Sequence, residues 1–94
     1  MIVSVRDGSL HIEEPDNFKA FSFRVPIGAT LEDVDAVRFD GEHAWISQRH
    51  LKDWPPRRSD QDWQNKLNAM IDYARSKAWV DEATQAIRAH VVRI

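Results

Sequence analysis

Six side chains between positions 43 and 58 could do chemistry together: His43, Arg49, His50, Trp54, Arg57 and Arg58. Imidazole titrates near neutral pH and acts as base, acid or metal ligand. Guanidinium makes paired hydrogen bonds to carboxylate or phosphate and stacks on flat rings such as indole. These residue types suit a small anionic ligand, another protein or a second copy of the chain. Lys52 adds a cation, and Trp54-Pro55-Pro56 offers a stiff extended edge.

Recognisable catalytic patterns are absent. There is no Gly-x-Ser-x-Gly and no His-Glu-x-x-His, and Gly8, Gly28 and Gly41 stand alone rather than in a phosphate loop. His43, His50 and Glu42 fall short of a metal-ligand spacing, so no metal or cofactor is expected. The chain has no cysteine, which removes disulfides, thiolate zinc sites and cysteine nucleophiles. The acidic residues from Glu13 to Glu42 fall mostly at turns, where solvent keeps them ordinary. The first expectation is therefore a non-enzymatic binding or interaction module, or an accessory subunit that self-associates. The alternative is a small-metabolite-binding protein or small enzyme. It would use His43 or His50 as base and Arg49 or Arg38 as anion clamp, in a cleft between sheet and helix.

Ninety-four residues make one domain, expected to span 1–94. Such a chain buries only about 60–65% of its unfolded surface, leaving little room for a deep enclosed pocket. Residues 1–47 carry net −5 and residues 48–94 net +3, giving −2 overall. That balance argues against nucleic acid as partner. No run approaches the ~20 apolar residues of a membrane span, and Met1 to Gly8 does not read as a signal peptide. A soluble cytoplasmic protein is expected.

The elements that must hold these side chains read as an α+β fold. Asp7-Gly8 supplies the two positive φ angles of a type I′ turn between two alternating runs. The resulting register pairs Arg6 with Ser9, Val5 with Leu10 and Val3 with Ile12. Phe18 to Val25 alternates as a third strand, and Thr30 to Asp33 fits one helical turn. Asp40-Gly41 marks a second hairpin. A two-residue loop there pairs Phe39 with Glu42, whereas a three-residue loop sets Phe39 and Val37 beside His43 and Trp45.

Ser47 caps a short helix at 48–54, which Pro55-Pro56 stops. Ser59 to Asp62 fits a second capping box. Trp63, Leu67, Met70, Ile71, Ala74 and Ala78 then share one face of the main helix, at about 60–77. The tail reads either as a helix or, preferably, as a strand at 86–93, where Ile87, Ala89 and Val91 alternate with Arg88 and His90. The expected architecture is an antiparallel sheet of two hairpins and an intervening strand, packed on the main helix.

Overall fold

Asp7 and Gly8 take φ of 52° and 79° in the computed structural model, which describes residues 1–94. They join β1 (Ile2–Arg6) to β2 (Ser9–Glu13) in the register that turn chemistry and alternation dictate. The next strand is shorter than its alternation suggests, because β3 is only Ser22–Val25. It runs parallel to β1, so the chain must first pass the start of β1, and residues 18–21 are used in that crossing. The Met1 amino group and the Trp63 indole N–H hold the crossing loop, donating to the carbonyls of Asn17, Ala20 and Pro15.

No helical turn forms at Thr30 to Asp33; the Asp33 carboxylate instead accepts the Phe39 N–H at 2.8 Å. The second hairpin joins β4 (Val37–Asp40) to β5 (His43–Ile46), with Asp40 opposite His43 and Val37 opposite Ile46. Gly41 and Glu42 form the turn and Asp40 joins the strand, so neither anticipated register holds. The physical reason is burial. Pairing Phe39 with Glu42 would set a carboxylate on the buried face, and the three-residue loop would turn His43 and Trp45 inward; the observed register puts Ala44 and Ile46 there instead.

Helix α1 (Gln48–Lys52) is capped by Ser47 and ends earlier than 54, giving way to a 3₁₀ turn at Pro55–Arg57. Helix α2 (Gln61–Ser76) is capped by Asp60, not Ser59, since the Asp60 carboxylate accepts the Trp63 N–H at 3.0 Å. The tail is a strand, β6 (Ile87–Arg93). No helix is long and apolar enough to cross a membrane.

The α+β class holds, but the sheet is mixed. Its order is β2-β1-β3-β6-β5-β4, with β1–β3 and β3–β6 parallel and the other pairings antiparallel. The two hairpins form the flanks, and β6 lies between β3 and β5. Alternation then sorts every strand. Val3, Leu10, Ile12, Phe23, Val25, Val37, Ala44, Ile46, Ile87, Ala89 and Val91 are buried on the inner face. Trp63, Leu67, Ile71 and Ala74 of α2 join the same apolar cluster. Each large side chain buried there contributes roughly 1.5–3 kcal/mol. The outer face carries the polar set together with Ile2, Trp45 and Val92, and the candidate site is built on it.

Candidate functional site

The site starts from the pairing of β6. The Val91 N–H donates to the Glu42 carbonyl at 2.8 Å, so these two residues form a hydrogen-bonded antiparallel pair. The alternate pairs, His43 with His90 and Trp45 with Arg88, are then of the close, non-hydrogen-bonded kind, in which side chains crowd together. The two imidazoles meet edge to face with centroids 5.9 Å apart. On the far side of Trp45 stands Arg38.

The C-terminus of α2 completes the row. Ala78 takes φ 62°, the Ala78 N–H donates to the Arg75 carbonyl and the Trp79 N–H to the Ala74 carbonyl. This is a Schellman ending with alanine where glycine is usual. It lays Val80 against Ile87 as an antiparallel bridge, so Trp79 falls beside Arg88, whose N–H donates to the Trp79 carbonyl at 2.8 Å. The outer face thus carries Arg38, Trp45, Arg88 and Trp79 in sequence across four adjacent backbone segments.

A groove of about 320 Å³ opens where this face meets α2. Its apolar walls include Phe18, Phe21, Met70, Tyr73 and Trp79. Tyr73 and Trp79 are exposed and packed edge to face at 6.1 Å, with the Lys77 ammonium 5.6 Å from the Tyr73 ring centre. The basic side chains of the groove are Lys19, His43, Arg88 and His90; no carboxylate lines it. Of the three half-buried arginines, Arg24 is paired with Glu13 and Arg57 with Asp16 and Asp60, while Arg88 has no side-chain partner. Arg38 reaches Asp81 at 3.3 Å. The Asp81 carboxyl is held below the usual carboxylate range, chiefly by the Ala83 N–H. No group of three or more metal-binding side chains converges anywhere in the chain.

The six residues singled out from the sequence are divided. His43 is in the groove. Arg49, His50 and Trp54 border a separate, shallower depression against the β1–β2 turn, with Pro55 and Pro56. There the His50 ring nitrogen lies 2.8 Å from the Ser47 hydroxyl, within the helix cap. Trp54 is half-buried, packed on Trp63 at 6.0 Å and against the core. Arg57 is pinned by Asp16 at 2.9 Å and Asp60 at 3.2 Å, and its hydrogen bond to Asp16 raises its pKa further. The Trp63 N–H, assisted by Arg57, holds the Asp60 carboxyl below the usual range. Arg58 is exposed and in no ion pair.

The sequence reading missed Arg88, His90, Trp79 and Tyr73 as site residues. The alternation of Arg88 and His90 against Ile87, Ala89 and Val91 was the available signal. It shows which face they occupy but not which strand lies beside them. No protein-family model, curated protein or solved structure matches the chain.

Proposed function

We propose that this chain is a non-enzymatic binding module that holds a small anion with a flat apolar body in the groove between α2 and the sheet. The observation that carries the proposal is Arg88, a half-buried guanidinium without a counter-charge in a groove walled by aromatic rings. Withdrawing a charge from water without a partner is unfavourable, and an anionic ligand removes that penalty. Tyr73 and Trp79 offer exposed ring surface to the apolar body. The volume lies at the small end of ligand sites, so the body is one or two rings in size.

Binding is favoured over catalysis because neither His43 nor His90 is hydrogen-bonded to a carboxylate that would orient it as a base. A protein partner would have to offer the same chemistry, an acidic side chain beside an aromatic one, and the groove's size suits the small ligand better. A cytoplasmic setting is consistent with a cysteine-free chain.

Two dyes with nearly the same aromatic body test the proposal. Anilinonaphthalene sulfonate is an anion and phenylnaphthylamine is neutral. In fluorescence titrations the sulfonate is expected to bind about tenfold tighter or more, the scale of one charge-assisted hydrogen bond. Arg88→Gln is expected to erase that preference. Equal affinities for the two dyes, or an undiminished preference in the variant, would refute the reading.

A further inference from the structure

We infer that the outer face of β4, β5 and β6 binds single-stranded nucleic acid, laid across the row Arg38, Trp45, Arg88 and Trp79. The inference shares Arg88 and Trp79 with the groove reading but does not depend on it, since Arg38 and Trp45 lie outside the groove.

The row alternates cation and indole in register across four segments. A single strand alternates phosphate and base in the same way. Neighbouring strands are about 4.8 Å apart, so the two indoles stand roughly 10 Å apart with Arg88 between them. Two unpaired bases can stack on Trp45 and Trp79 while the phosphate that links them meets Arg88 and the next one meets Arg38. A duplex keeps its bases stacked inside and cannot use flat indoles on an open sheet.

Trp45 supports this placement from another direction. It is half-buried but takes no part in the apolar cluster, so the core does not account for it.

Charge points the same way. On β4, β5 and β6, strand alternation sends Arg38, Arg88, His43 and His90 to the outer face, against the single carboxylate of Asp40. The net −2 of the whole chain averages over this segregation. The Arg38–Asp81 pair is exposed at Arg38, and exposed pairs are weak enough to be exchanged for a phosphate contact.

The test is fluorescence anisotropy with fluorescein-labelled octamers of thymidylate and uridylate, beside a duplex of equal length. Saturable binding of a single-stranded octamer is expected, with the duplex weaker. The slope of log affinity on log salt should be about −1.4, the value for two phosphate contacts on a single strand. Trp45→Ala and Arg38→Gln should each weaken octamer binding roughly tenfold and leave the dye affinity unchanged. Arg38→Gln removes an exposed guanidinium and its ion pair with Asp81 but leaves the core untouched, so it serves even if the tryptophan variant misfolds.

Absence of octamer binding, or octamer affinity unchanged in Arg38→Gln, overturns the inference. If the anionic dye still binds in that case, the groove reading survives. If the octamer binds through Arg38 and the dye does not, the groove reading fails and this one stands.

Discussion

Arg57, in the joint between β5 and α2, and Arg88, on the open sheet face, are both half-buried cations close to tryptophan. In the joint the groups around Arg57 are answered, although Lys52 is half-buried without an ion pair and the Gln48 side-chain nitrogen is buried without a partner. Arg57 has two carboxylates, Asp60 caps α2, Ser47 caps α1 and engages His50, and Trp54 packs on Trp63. On the sheet face Arg88 has no partner, Trp45 stands off the core, and Tyr73 and Trp79 present their rings to solvent. The same residue types serve structure in one place and remain available for a ligand in the other. What separates the two uses is the presence of a partner, and composition does not reveal it.

The strongest way to test the comparison acts on the element both regions share. Leu67 is fully buried at the middle of α2. Leu67→Ala is expected to destabilise the protein by about 2–5 kcal/mol in chemical denaturation, from lost burial and the cavity left behind. A denaturation midpoint equal to that of the wild type would mean that α2 does not anchor the core, and both regions would need a new account.

A smaller change sharpens the boundary between them. Ala78 adopts a left-handed conformation in the turn that delivers Trp79 to the groove. Ala78→Gly is expected to stabilise by roughly 0.5–1 kcal/mol in denaturant titrations, because glycine adopts positive φ without steric cost. Dye affinity should stay within about twofold, given that the Schellman hydrogen bonds fix Trp79 either way. A gain in stability accompanied by a marked loss of binding would show that the strain belongs to the site.

Much of the fold was legible because local signals agreed with one another. At the first hairpin, Asp7-Gly8 and the alternation of Val3, Val5, Leu10 and Ile12 demand the same register. The apolar spacing of Trp63, Leu67, Ile71 and Ala74 is visible without any neighbour. At the second hairpin the turn signal conflicted with burial, and burial shifted the turn to Gly41-Glu42.

The site was less legible because it is assembled by non-local pairing. His43 reads as a strand histidine near His50, yet its true neighbour is His90, far along the chain. Only the insertion of β6 between β3 and β5 creates the row from Arg38 to Trp79 and the unpartnered state of Arg88. The cluster that stood out in the sequence was conspicuous because its members are adjacent. Within Ser47 to Asp60, Ser47 and Asp60 serve as helix caps and Arg57 is held in ion pairs.

If Arg57 holds the joint together and Arg88 holds a ligand, as proposed, Arg57→Gln and Arg88→Gln should part company when thermal melting and anilinonaphthalene sulfonate affinity are measured on both side by side. Arg57→Gln is expected to lower the melting midpoint, because it frees Asp16 and Asp60, and to bind the dye as wild type does. Arg88→Gln is expected to melt like wild type and to lose about tenfold or more in dye affinity. The opposite pattern, with Arg88→Gln destabilised and still binding or Arg57→Gln stable and not binding, would contradict the account.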